Sequence, residues 1–162
     1  SFRYNELSPY ALKNINLTIP QGKVTAIVGT SGSGKTTLIK LLLGFYKANQ
    51  GNIKIGGVHL QNISNKLWRS KCGAVMQDGF LFSESIARNI AESEESVDRE
   101  KLVKAVRTAN LLEYINQLPL GYNTKLGAMG NGLSQGQKQR VLIARAVYKN
   151  PDFLFFDEAT NA

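Results

Sequence analysis

Gly29-Thr30-Ser31-Gly32-Ser33-Gly34-Lys35-Thr36 places three glycines in eight residues and ends on a lysine and a hydroxyl. It fits the pattern G-x-x-x-x-G-K-[ST]. Glycines at these positions let the backbone curl so that successive N–H groups converge into an anion nest. A helix predicted from Lys35 to Leu43 adds the positive end of its dipole at the same place. Lys35 is then within reach of the β- and γ-phosphates of a nucleotide, and the Thr36 hydroxyl is a ligand for Mg²⁺. Ser31, Gly32, Ser33 and Thr37 complete the set expected to contact the nucleotide. The plainer alternative is a glycine-rich turn between a strand and a helix. The context favours a nucleoside triphosphate, because a short apolar run, Val24 to Val28, precedes the loop and a helical pattern follows it.

Working outward, Val24 to Val28 is expected to be a strand buried on both faces. Ile15, Leu17 and Ile19 alternate with polar residues, which predicts a half-exposed strand over Asn14 to Ile19. Pro20-Gln21-Gly22 reads as a turn, and Gly44 as a helix C-terminal cap. Asn52 to Ile55 alternates again and meets the turn Gly56-Gly57, with His59 expected in the loop beyond. Cys72 to Met76 and Phe153 to Phe156 are further buried strand candidates. From about Ser83 to Tyr148 the pattern is helical, interrupted by a turn-rich stretch from Pro119 to Gly132. Within it Leu102, Val103, Ala105, Val106 and Ala109 share one helical face. Glu92 to Glu95 reads as a solvated acidic loop. The layout predicts an α/β core with a helical insert.

Two further stretches carry chemistry. Phe153-Leu154-Phe155-Phe156 runs directly into Asp157-Glu158. A carboxylate at the end of an apolar strand, in a chain with a phosphate loop, is the expected Mg²⁺-side acid. That assigns Asp157 to the metal and Glu158 to polarising the attacking water as general base. The alternative is a pair of strand-end acids facing solvent. Gln77, just after the strand candidate Cys72 to Met76, is a neutral amide able to touch Mg²⁺ and the water. Leu133-Ser134-Gln135-Gly136-Gln137 opens a strong helix with capping-box spacing, so Ser134 reads as its N-cap. A capped helix start with a glycine in its first turn also invites an anion, although a capping box without a ligand is the simpler case.

The 162 residues fit one domain, with or without an inserted lobe. No apolar stretch approaches the ~20 residues of a spanning helix. One cysteine excludes a disulfide framework and a cysteine-built metal site. Twenty Lys+Arg against 12 Asp+Glu leave a formal +8, which suits an anionic partner or serves solubility alone.

Taken together, the Gly29 to Thr36 loop, Gln77, the Leu133 to Gln137 stretch and Asp157-Glu158 resemble one family: the ATP-binding-cassette (ABC) ATPase domain. The resemblance spans essentially the whole chain. It implies an α/β P-loop NTPase with a RecA-like core, an antiparallel β lobe and an inserted α-helical subdomain. Residues 1–82 and 147–162 would form lobe and core, and residues 83–146 the subdomain with the signature. It implies ATP and Mg²⁺ as cofactors. Tyr4 lies where the family places an aromatic against adenine, with Phe2 as the competing candidate. Two such domains pair head to tail, so Ser134, Gly136 and Gln137 would act on the nucleotide held by the partner cassette.

Gly79 to Ile90 looks like the exporter version of the segment after the glutamine. Trp68-Arg69 and Gln135-Gly136-Gln137-Lys138-Gln139-Arg140 look like peptide exporters. The resemblance thus implies a motor for substrate export, with transmembrane domains as partners, at the cytoplasmic side of a cell membrane and without nucleic acid. A soluble cassette ATPase acting on nucleic acid or the ribosome is the alternative. Two residues depart from the pattern: Gln135 stands in place of glycine, and Ala128 in place of the exporters' glutamate. The family's dimer-interface loop and switch histidine would lie beyond Ala162. On that expectation the stretch is an incomplete domain, binding nucleotide with little turnover by itself.

Overall fold

The structure is a computed structural model describing residues 1–92 and 94–157. It is a mixed α/β fold that divides into two compact units, one over Ser1–Arg69 and one from Ser70 onward.

In the first unit, α1 (Lys35–Leu42) follows the glycine-rich loop directly and turns back at Gly44, whose φ of +74° needs no Cβ. The Trp68 indole, almost fully buried, donates to the Leu42 carbonyl at 2.9 Å and so closes the C-terminal end of α1. Phe2, Leu12 and Leu41 form the small core, and Phe2 and Leu12 bridge antiparallel through paired main-chain bonds. The hairpin β1 (Lys54–Ile55) and β2 (Val58–His59) turns through Gly56 and Gly57, both with positive φ. His59 therefore sits half-buried in a strand rather than in the loop expected for it. Helix α2 (Asn65–Ser70) closes the unit.

Two expectations fail here. Neither Asn14 to Ile19 nor Val24 to Val28 forms a strand, and Val24 and Val28 are exposed rather than buried. An apolar run becomes a strand only when a second strand supplies a hydrogen-bonding ladder. Among the described residues no ladder reaches these segments.

In the second unit, β3 (Cys72–Val75) and β4 (Phe153–Phe156) pair in parallel, Cys72 opposite Phe153 through Val75 opposite Phe156. The connection between them contains α3 (Ile86–Ile90), α4 (Arg99–Thr108), α5 (Leu112–Gln117) and α6 (Gln135–Tyr148). A parallel pair requires such a crossover. Ile86, Ile90, Val106, Leu111, Ile115 and Val141 are the centre of the main core, with Tyr148 sealing it. The helical face expected on α4 is the one it buries, through Leu102, Ala105 and Val106, and the Asp98 carboxylate caps its first turn. Gly73 lets β3 lie against α6: a Cβ there would sit 2.5 Å from the Ala146 carbonyl oxygen. β4 forms where expected, but Phe153, Leu154 and Phe156 remain partly exposed. Its single described neighbour is β3, so it does not have the two covered faces of an inner parallel strand.

Candidate functional site

The glycine-rich loop reaches α1 through Gly34, whose φ is +93°. A Cβ at Gly34 would lie 2.8 Å from both the Ala11 carbonyl oxygen and Leu12 Cδ2. Both conformation and space therefore demand glycine. Gly32 also has positive φ, with open space around it, and Gly29 packs within 2.6 Å of Ser33 Oγ measured from a notional Cβ. The loop is closed by Ser33 N–H donating to the Thr30 carbonyl. Lys35 Nζ donates to the carbonyls of Gly29 and Thr30, both at 3.0 Å, so its ammonium lies against the loop. No side chain caps the N-terminus of α1, and no acid occupies its first turn. Its positive end is thus presented to the loop unneutralised. This arrangement fits a polyphosphate: backbone conformation that only glycine takes, an uncapped helix start, and a lysine already at the loop.

Thr37 is buried and its Oγ1 lies 2.9 Å from the Tyr4 hydroxyl, a direct hydrogen bond across 33 residues of sequence. Tyr4 itself is 52% exposed, whereas Phe2 is 4% exposed. Of the two aromatic candidates only Tyr4 has a ring available to a ligand.

In the second unit the parallel pairing brings two other candidates to one end. The Asp157 N–H donates to the Val75 carbonyl, continuing the ladder beyond β4. Asp157 is buried, at the carboxyl end of β4. Gln77 leaves the carboxyl end of β3 in an exposed turn closed by Gly79 N–H donating to the Met76 carbonyl. Glu158 lies outside the described residues. Thr36 in the first unit, and Gln77 and Asp157 in the second, each offer a hard oxygen, the donor type that suits Mg²⁺ and not a thiophilic metal.

The capping box expected at α6 is present. Ser134 Oγ accepts from the Gln137 N–H at 3.2 Å, and Gln137 Oε1 accepts from the Ser134 N–H at 2.8 Å. Both bonds use acceptor atoms, so the Ser134 O–H and the Gln137 amide NH₂ keep their donor hydrogens for another partner. Gly136 faces open space. Ala128 opens an exposed helical turn in which Met129 takes φ +56°, just before α6.

Spacing did not expose the residues that hold these pieces in register. Asn89, fully buried on α3, donates to the carbonyls of Phe82, Glu84 and Ser85 and accepts from the Phe82 N–H. Arg145 on α6 donates to Phe80, to Asn89 and to its side chain, and pairs with Glu92 at 3.1 Å. Burial pulls the Arg145 guanidinium below its usual range, partly offset by Glu92. The acidic stretch is therefore not simply solvated: Glu92 serves Arg145, and Glu94 binds Lys101 and the Tyr148 hydroxyl. An asparagine three residues after Ile86 and next to Ile90, on a short helix that buries both isoleucines, was the one available signal.

The family profile for ABC transporters matches residues 12–161. The chain belongs to the ABC transporter family. It is 47% identical over 161 residues to the leukotoxin export ATP-binding protein LtxB of Aggregatibacter actinomycetemcomitans. It is 41% identical over 162 residues to the colicin V secretion/processing ATP-binding protein CvaB of Escherichia coli. These alignments take in 99% and 100% of the chain but 23% of each relative, so the chain spans about a quarter of their length. Among solved structures, a bacterial Atm1-family ABC exporter with ATP bound is similar with a TM-score of 0.78 and 41% identity. That match covers 82% of this chain and 23% of the other. The ABC family hydrolyses ATP, and ATP with Mg²⁺ is the cofactor its domain implies. No helix of the described residues is long and apolar enough to cross a membrane.

Proposed function

We propose that this ABC chain is the ATP-hydrolysing motor of an exporter that moves a polypeptide across a membrane. The observation that carries the ATP reading is the loop itself, with Lys35 folded onto Gly29 and Thr30 at an uncapped helix start. The polypeptide cargo rests on the relatives, which are named for leukotoxin export and colicin V secretion. Mg²⁺, when bound with ATP, would neutralise charge on the terminal phosphates. Gly29, Ser31, Gly32, Ser33, Gly34, Lys35, Thr36 and Thr37 cradle the phosphates. Lys35 exchanges two carbonyl partners for phosphate oxygens, a charge-assisted and stronger pairing. Thr36, Asp157 and Gln77 hold the metal side, Tyr4 stacks on the base, and Glu158 takes a proton from the attacking water. Ser134, Gly136 and Gln137 use their free donors on the nucleotide of a second cassette, paired head to tail. Transmembrane domains at the cytoplasmic side of the membrane receive the resulting motion.

The test is Glu158→Gln in the full-length protein. ATP binding should persist while turnover falls at least a hundredfold and a nucleotide-bound dimer accumulates on size exclusion. Hydrolysis at the parent rate would remove Glu158 as the base, and ATP binding that survived Lys35→Ala undiminished would remove the loop as the phosphate site.

A further inference from the structure

Tyr4 does not stand alone. Its ring centroid is 5.0 Å from that of Phe2 and 5.4 Å from that of Tyr46, and Phe2 and Tyr46 are 5.5 Å apart. The three rings form a closed triangle. Both neighbours meet Tyr4 near right angles, 79° and 89°, so neither occupies a parallel stacking position on it. With Tyr4 52% exposed, part of its ring remains open to a planar ligand. Phe2 is buried and belongs to the small core with Leu12 and Leu41, whereas Tyr46 is 42% exposed. A tyrosine placed only to fill the core would resemble Phe2.

The main chain ties the two tyrosines together independently of their rings. Arg3, next to Tyr4, donates its N–H to Asn49 Oδ1 at 2.7 Å, and the N–H groups of Asn49 and Gln50 both donate to the Ser1 carbonyl. The segment that carries Tyr4 is thus fastened to the segment that carries Tyr46. Tyr46 is delivered there by the chain reversal at Gly44, where the Gly44 and Phe45 N–H groups bond back to the carbonyls of Leu41 and Lys40.

We propose that Tyr46 is a positioning residue for the nucleotide base: with Thr37 holding the Tyr4 hydroxyl, it fixes the tilt of the Tyr4 ring before the base arrives. This rests on the reading of Tyr4 as the base-stacking residue. A ring already held in its bound orientation does not lose that freedom on binding, which is where the gain in affinity arises. The effect of Tyr46 belongs to the base and not to the phosphates, because Tyr46 is not one of the residues assigned to their cradle.

The test uses the full-length protein, titrated calorimetrically with MgATP and with magnesium tripolyphosphate, which has no base. Tyr46→Leu should weaken MgATP about three- to tenfold, the worth of an aromatic pair, and leave tripolyphosphate unchanged. Tyr46→Phe, which keeps the ring, should restore MgATP binding. If Tyr46→Leu leaves MgATP binding intact while Tyr4→Ala weakens it, the proposal fails and the stacking role of Tyr4 stands. If neither variant alters MgATP binding, both fail. Equal weakening of MgATP and tripolyphosphate by Tyr46→Leu would show general damage to the unit and overturn the positioning role.

Discussion

Arg145 on α6 grips Asn89 twice, through Nε to its carbonyl at 2.7 Å and through Nη2 to its side-chain oxygen at 3.1 Å. Asn89 in turn organises the backbone from Phe82 to Ser85. The segment leaving Gln77 and the helix opened by Ser134 are therefore tied to one another through Asn89 and Arg145, 56 residues apart in sequence.

Replacing Arg145 with methionine keeps much of the stem but strips donors from the carbonyls of Phe80 and Asn89 and leaves Glu92 unpaired. Bonds from a charged donor to the buried Asn89, once broken, leave unsatisfied groups. The expected loss of stability is about 2–4 kcal/mol, read from urea denaturation of the full-length protein's cassette signal. Arg145→Lys should recover only part of it, because an ammonium lacks the guanidinium fork. Parent-like stability for Arg145→Met would show that the grip is incidental.

Two glycines separate structural from functional need. Gly34→Ala meets both a positive φ and a backbone oxygen 2.8 Å away. It should cost about 1–3 kcal/mol together with nucleotide affinity. Gly136→Ala meets nothing within 4 Å and lies in the first turn of α6, where alanine is the better helix former. Thermal stability should hold or rise slightly, while nucleotide-driven dimerisation weakens. A comparable melting loss in both variants would contradict this division.

Stability should fall with acid through Glu94. The Tyr148 hydroxyl first, then Lys101, hold its carboxyl below the usual range. A depressed folded value means the contribution is present above the unfolded value, about 4.3, and is lost as pH falls through the folded one. On the alkaline side, burial and then Glu94 raise Tyr148, so its contribution is present below about pH 10 and lost above its folded value. Glu94→Gln should flatten the acid limb of a melting-temperature profile. An unchanged limb would remove the Glu94 cluster as its source.

Cys72 is buried in β3, and burial first, then Asp152, push its thiol up to about 11. At pH 8 almost no thiolate is present to react. Iodoacetamide should label the native protein far more slowly than the urea-unfolded one, by at least tenfold. Equal rates would show β3 opening freely.

Much of the site was legible along the chain because its determinants are local. The phosphate loop, the Ser134–Gln137 box and the turn at Gly44 each close within about six residues, through main-chain conformation and nearby hydrogen bonds. The ends of α1 and α6 followed from the same cues. Strands were legible only in part. Phe153 to Phe156 found a partner in β3, whereas the similarly apolar Val24 to Val28 lies exposed and unladdered. Composition was equally mute about burial on β4.

What the sequence by itself determined is the chemistry: a glycine loop with Lys35 and Thr36, a capped helix start at Ser134, and a strand-end acid at Asp157. Residue type and short spacing suffice for these, since each motif carries its own geometry. Only the tertiary structure decided that Tyr4 and not Phe2 offers its ring, that Thr37 and Tyr46 flank it, and that Arg145 joins α3 to α6. Those choices depend on which surfaces meet after the chain has closed loops of tens of residues, and no local signal encodes that meeting.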